Sequence, residues 1–209
     1  VYAFEPHLGN ALRLMKNVRE NGLDAQVKVL SVALNDTTGF IDFNYQAELS
    51  GSSMSQLGSL RDSEEREFDA VLREFKCAVT VDRLIADGHM RPPHHVKIDV
   101  DGIEHKVIEG ARETLKNPKV KEILIELNTK LSEHTEVVAT LNSLGFHHDP
   151  QQAEGALRKS GTFEGVGEFI FRRKPAEPAS TSALTRTFAI APLRSARQWS
   201  VLQHVLRQV

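Results

Sequence analysis

The segment Lys97-Ile98-Asp99-Val100-Asp101-Gly102 sets three charged side chains at alternate positions and ends them with a glycine. In a strand, alternate side chains share a face. Lys97, Asp99 and Asp101 would then stand together, and Gly102 would let a ligand or another segment come close to the backbone. Charges flanked by apolar residues are costly to bury without partners. That leaves two readings: a ligand-facing site, or a local ion pair with Asp101 capping the following helix. Glu5 closes the apolar stretch Val1-Tyr2-Ala3-Phe4 and stands before Pro6. A carboxylate at a strand end can accept hydrogen bonds from both hydroxyls of a ribose. It can equally sit at the positive end of a helix dipole.

Three further positions carry potential chemistry. Glu104 and His105 open a helical pattern beside the same sheet edge. An unshifted imidazole titrates near neutrality, so His105 could act as a general base, although the plainer reading is a surface histidine at a helix start. Glu126 lies inside the apolar run Ile123-Leu124-Ile125-Glu126-Leu127 and would be buried unless it points into a cleft at the strand end. Val32-Ala33-Leu34, at another strand end, offers backbone groups suited to an adenine edge. The pairs His94-His95 and His147-His148 are adjacent, and neighbours on a strand point to opposite faces, so no metal chelate is expected.

The elements that must position these groups alternate. Val1–Phe4 reads as a strand ended by proline. Leu8, Ala11, Leu12, Leu14, Met15 and Val18 recur at helical spacing before the Asn21-Gly22 stop. Residues 27–34 and 40–45 read as strands around a turn, 47–63 as a Ser/Gly-rich surface loop, and 64–75 as a charged helix. A strand over 77–81 and a short helix over 82–87 follow. The strand 96–100 then leads into a helix over 104–116, with Val107, Ile108, Ala111 and Leu115 on one face. A strand at 123–127, a helix at 133–144 capped by Gly145, and an antiparallel pair, 146–148 with 168–171, complete the series. Such alternation predicts an α/β fold with a largely parallel sheet and helices on both faces. The composition shifts to Pro, Ala, Ser and Thr after Lys174, so residues 1–174 read as one domain and 175–209 as a linker and tail. Within the tail, residues 193–209 carry a short basic amphipathic pattern.

The chain has 209 residues, 40% apolar and 26% charged, with a formal charge of −2. That size suits one compact core, and the charge lacks the basic surplus of a nucleic-acid binder. The single cysteine, Cys77, forms no internal disulfide and no zinc cluster, so a reducing, cytoplasmic setting is expected. No apolar run is long enough to suggest a membrane-spanning helix.

Taken together, Val1-Tyr2-Ala3-Phe4-Glu5-Pro6, Ser31-Val32-Ala33-Leu34, Gly51-Ser52-Ser53-Met54, the Lys97–Glu104 segment with Gly110-Ala111 after it, and Ile125-Glu126-Leu127 resemble the successive motifs of FkbM-type methyltransferases. The resemblance covers residues 1–174. It implies a Rossmann-like class I methyltransferase fold and transfer of a methyl group from S-adenosyl-L-methionine, usually to a hydroxyl oxygen of a small molecule or glycan. It further implies cofactor contacts from Glu5, Pro6, Ser31, Val32, Ala33, Leu34 and Asp99. Catalytic roles fall to Lys97, Asp99 and His105, and acceptor contacts to Ser53, Asp101, Glu104 and Glu126. The family's first strand and glycine-rich turn would precede Val1. Without that strand, this stretch of chain is expected to bind the cofactor weakly, to be marginally stable and not to turn over. The competing reading is a non-catalytic α/β binding domain. A dinucleotide-dependent dehydrogenase also accommodates Glu5 but lacks a visible Gly-x-Gly-x-x-Gly.

Overall fold

The computed structural model describes residues 1–53, 55–62 and 66–173. The expected linker and amphipathic tail at 175–209 lie outside them. In chain order the elements are β1 (Tyr2–Phe4), α1 (Leu8–Glu20), β2 (Lys28–Leu30), β3 (Ala33–Leu34), β4 (Gly39–Tyr45) and β5 (Gln56–Leu57). Then come β6 (Leu72–Val79), α2 (Val81–Ala86), β7 (His95–Ile98), α3 (Glu104–Glu109) and α4 (Arg112–Lys116). The series ends with β8 (Glu122–Asn128), α5 (Ser132–Ser143), β9 (Phe146–His148), α6 (Pro150–Ala156) and β10 (Val166–Arg173).

The α/β alternation holds, but the sheet is neither single nor largely parallel. Three sheets form among the described residues: β1-β2, β7-β8-β10-β9 and β3-β6-β4-β5. Three ladders are parallel (β1 with β2, β3 with β6, β7 with β8) and four are antiparallel. The expected 27–34 strand divides at Ser31-Val32: Lys28–Leu30 pairs with β1, whereas Ala33–Leu34 pairs with β6 in another sheet. The expected 64–75 helix is replaced, from Leu72 onward, by β6. Phe43 and Tyr45 on β4 bury their rings, and antiparallel pairing along β4 holds this segment extended. At the C-terminal end β10 inserts between β8 and β9, which buries Phe169 and Phe171, and α6 lies in the connection from β9 to β10.

The expected 104–116 helix breaks at Gly110-Ala111, and the contacts explain why. Gly110 packs its backbone against the Asn35 carbonyl so closely that a Cβ there would also lie 2.9 Å from the Asn35 carbonyl carbon. The Asp82 amide donates to the Gly110 carbonyl at 3.0 Å, taking that acceptor out of the helical ladder. The Asp82 carboxylate then accepts the amides of Glu113 (2.9 Å) and Thr114 (2.7 Å), so a residue of α2 caps α4 across the fold.

The main core lies between the β7-β8-β10-β9 sheet and α2–α5, around Ile98, Ile108, Leu115, Ile123, Ile125, Leu141, Phe146 and Phe171. Tyr2, Phe4, Val32 and Leu34 pack onto it from the other two sheets. A smaller core gathers Ala33, Phe43, Tyr45, Leu57 and Ala78, with Ile103 reaching in from the turn before α3. Helix α1 buries Asn10, Ala11, Leu14 and Val18 and leaves Leu8, Leu12 and Met15 exposed, so its apolar stripe is wider than its packed face. Arg173 joins three segments by donating to the carbonyls of Val120 (3.1 Å), Leu144 (2.8 Å) and Leu115, with its guanidinium 4.2 Å from the Phe146 ring centroid.

Candidate functional site

The chemistry-bearing residues collect at the strand ends that lead into α1, α3 and α5. Glu5 follows β1 and accepts the His7 amide at 2.8 Å. Burial pushes its carboxyl above the ordinary range against the hydrogen bond from His7, and the negative charge of Asp101 adds to the rise. Glu5 and Asp101 therefore share one electrostatic environment although they lie 96 positions apart in the chain. The parallel register sets Phe4 opposite Leu30, and the Glu5 amide donates to the Leu30 carbonyl at 3.1 Å. Ser31, the next residue on the partner strand, has a buried hydroxyl with no hydrogen-bond partner. Pro6 ends the strand. Ala33 and Leu34 are engaged with β6, which leaves Ser31 and Val32 as the stretch between ladders.

A clamp fixes the loop above. Asn10 on α1 accepts the Gly51 amide at 2.6 Å and donates to the Ser52 carbonyl at 2.9 Å. His7, buried at the start of α1, accepts the Asn10 amide on Nδ1 at 3.3 Å, which leaves Nε2 to donate to the Ala47 carbonyl at 3.1 Å. Its ring meets Tyr45 edge-on at 4.7 Å. The Tyr45 hydroxyl donates to Glu74 at 2.9 Å, and burial with that carboxylate pushes the phenol up to about 12. Ser53 lies just beyond the clamp and is exposed.

Beyond β7 the second group assembles. Lys97 pairs with Asp99 at 2.9 Å and with Glu168 of β10 at 3.6 Å. Burial alone would lower the Lys97 ammonium, but these carboxylates outweigh it and raise it above its ordinary value, so Lys97 is a fixed cation at neutral pH. The Asp101 carbonyl accepts the buried Gln56 side-chain amide at 2.7 Å, which ties the turn after β7 to β5. Asp101, Gly102 and Glu104 then border a cleft of about 380 Å³, counting the space open to solvent, together with Glu126 and Asn128 from the end of β8 and His134 from α5. Leu131, Phe163 and Val166 supply apolar walls. Glu126 has its carboxyl raised by burial and by the charge of Asp99, against the pull of Arg158, which donates to it at 3.1 Å.

The histidine at this cleft is His134, not His105. His105 follows Glu104 on α3, lies outside the cleft lining, and has Nδ1 buried without a partner. Burial pushes its imidazole below the ordinary value, with the neighbouring Lys106 and His134 adding to the shift. His134 was not singled out in the sequence. Its signal was its place on the apolar face of α5, one turn before the buried Val137 and two before Leu141. No group of three or more His, Cys, Asp or Glu with metal-binding geometry occurs among the described residues, and no described helix is long and apolar enough to cross a membrane.

The arrangement is that of an α/β domain whose polar cleft is lined by residues just past the ends of β7 and β8, with Glu5 and Ser31 just past the ends of β1 and β2. The family model described as methyltransferase FkbM domain matches residues 1–147, and the chain belongs to that family. Among solved structures it is similar to the methyltransferase FkbM from Methylobacillus flagellatus KT, at 15% identity and a TM-score of 0.48. That likeness covers 82% of this chain and 36% of the other, so the chain spans about a third of that relative's length. No curated protein sequence matches it.

Proposed function

We propose that the chain forms donor and acceptor sites of a methyltransferase that uses S-adenosyl-L-methionine and methylates a hydroxyl oxygen on a small molecule or glycan. The observation that carries this reading is the placement of Glu5 and the unpartnered Ser31 hydroxyl just past the matched ends of β1 and β2, with Glu5 close enough to the cleft residue Asp101 to feel its charge. These residues fit a nucleoside. Glu5, at Pro6, accepts the two ribose hydroxyls, and Ser31 with Val32, Ala33 and Leu34 borders the base. Asp99, held by Lys97, meets the cationic methionine end. The donor supplies an electrophilic methyl group on a sulfonium. What the chain contributes is alignment, for which an in-line displacement has the greatest need. Ser53, Asp101, Glu104 and Glu126 take the acceptor side. A reducing, cytoplasmic setting accords with the exposed single cysteine.

Binding by this stretch of chain is expected to be weak, because β1 and β7 each pair with one strand only among the described residues. The test is calorimetric titration of S-adenosylhomocysteine into the chain and into Glu5→Gln. Weak binding that falls about tenfold in the variant supports the reading, since a charge-assisted hydrogen bond contributes about 1.5–3 kcal/mol. No heat at millimolar ligand overturns the donor site, equal binding by both proteins overturns the role of Glu5, and tight binding overturns the expected weakness.

A further inference from the structure

The cleft holds two ionisable side chains that are almost completely buried. Glu104 is 3% exposed and His134 4% exposed. The Asn128 amide donates to His134 Nδ1 at 2.7 Å. A ring nitrogen that accepts a hydrogen bond carries a lone pair there, so the neutral imidazole holds its proton on Nε2. That nitrogen lies 3.1 Å from Glu104 Oε2. The approach lacks hydrogen-bond alignment, so both atoms are buried polar groups without a hydrogen-bond partner. Native interiors rarely leave such groups unpaired, and exceptions cluster where a ligand completes the set. The surroundings favour a hydroxyl: Asp101, Glu126 and Asn128 add acceptor oxygens, no Lys or Arg is among the described residues that line the cleft, and Arg158 beside it pairs with Glu126.

We propose that Glu104 receives the proton of the acceptor hydroxyl and that His134 is the positioning residue that aims the Glu104 carboxylate. This rests on the methyl-transfer reading above. The acceptor oxygen bonds to the methyl carbon while the carbon–sulfur electron pair returns to sulfur, and the hydroxyl proton passes to Glu104. One positive charge on sulfur and one negative charge on the carboxylate disappear together. His134 does not take the proton, because the lone pair on its Nδ1 already accepts the Asn128 amide.

The experiment uses the whole chain with 15N-labelled histidine and ethylene glycol as the hydroxyl probe. Long-range nitrogen–proton spectra are expected to find the His134 proton on Nε2 and to follow a saturable change at that nitrogen as the diol enters. In Glu104→Gln, which keeps the shape and removes the charge, the diol should bind about tenfold more weakly. Glu104→Asp, which keeps the charge one methylene further back, covers the case in which the glutamine variant does not fold. It should retain the Nε2–H tautomer and weaken the diol response. The Glu104 carboxyl carbon should respond to the diol in His134→Gln, which preserves a donor, and not in His134→Phe. A proton on Nδ1, or a diol that leaves His134 and Glu104 unchanged, overturns the proposal. S-adenosylhomocysteine added to the same sample separates the two ideas. If it binds while the diol leaves the pair unmoved, the pair falls and the methyltransferase reading stands; if it fails to bind while the diol perturbs both residues, the hydroxyl site stands and the methyltransferase reading falls.

Discussion

Replacing Gly110 by alanine sets two physical effects against each other. Gly110 has φ −68°, an ordinary right-handed conformation, so alanine brings no backbone strain. Helix propensity alone would make the change favourable by up to about 1 kcal/mol. The added Cβ, however, would meet the Asn35 carbonyl, lying 2.9 Å from its carbon and closer still to its oxygen, and would lie 3.3 Å from the Asp36 Cα. All three atoms are backbone, so no side-chain rotation relieves the clash. Either the turn between β3 and β4 shifts or α3 tilts away, and the Asp82 amide then loses the Gly110 carbonyl. Overpacking of this kind costs about 1–3 kcal/mol, and a lost hydrogen bond about 1 kcal/mol, so after the propensity gain a net loss of about 1–4 kcal/mol is expected. With a urea m-value of about 2 kcal/mol/M, the midpoint should fall by about 0.5–2 M. Gly155→Ala is the control: Gly155 lies within α6 with nothing inside 4 Å of its added Cβ, and the change should be neutral or stabilising by up to about 1 kcal/mol. A Gly110→Ala midpoint equal to or above the unaltered protein's would refute the close-approach argument.

Three other perturbations follow from contacts described above. Asp82→Ala removes the carboxylate that caps α4 and should lower stability by about 1–2 kcal/mol, read as a drop in Tm with α4 amides exchanging faster. Arg173→Leu leaves the carbonyls of Val120, Leu144 and Leu115 without their donor and should cost about 2–4 kcal/mol in urea denaturation; an unchanged midpoint would show that water replaces it fully. Glu5 has its folded-state carboxyl raised, so its contribution to stability is greatest below the ordinary carboxylate range and is lost as pH rises through the raised value. Glu5→Gln should therefore gain stability relative to the unaltered protein towards neutral pH and show no gain in acid, measured as the difference in urea midpoint against pH. A gain confined to acid would reverse the sign of the argument.

Much of the element series was legible because local periodicity reports it: the amphipathic spacing of α1 and α5 and the apolar runs of β1, β7 and β8 each name their own element, whereas the 64–75 segment, α6 and the break at Gly110 did not. Strand partners were not, because pairing is a long-range property. Nothing in the apolar run over 27–34 says that its halves serve different sheets, and nothing in 168–171 says that it becomes a central strand. Asp82 caps α4 from 31 positions away, which no window of sequence reveals. The family relation was carried by motifs, and of the Lys97–Glu104 segment Val100, Asp101, Gly102 and Glu104 line the cleft. His134 escaped because a histidine on an apolar helical face reads as packing, and only the three-dimensional approach of Glu104 sets it apart.

The division of the strands among three sheets has a consequence for how ligands would be sensed. Glu5 and Ser31 follow a ladder of three residue pairs, whereas the cleft residues Glu126 and Asn128 sit in β8, paired along its whole length with β10 and flanked by β7 on its other edge. Amides in the short ladder should exchange with solvent far faster than those of β8. A nucleoside would then leave its footprint as slowed exchange over residues 2–5 and 28–34 with β8 unaltered. The two halves of the site would report their occupants separately, each through the rigidity of its own sheet.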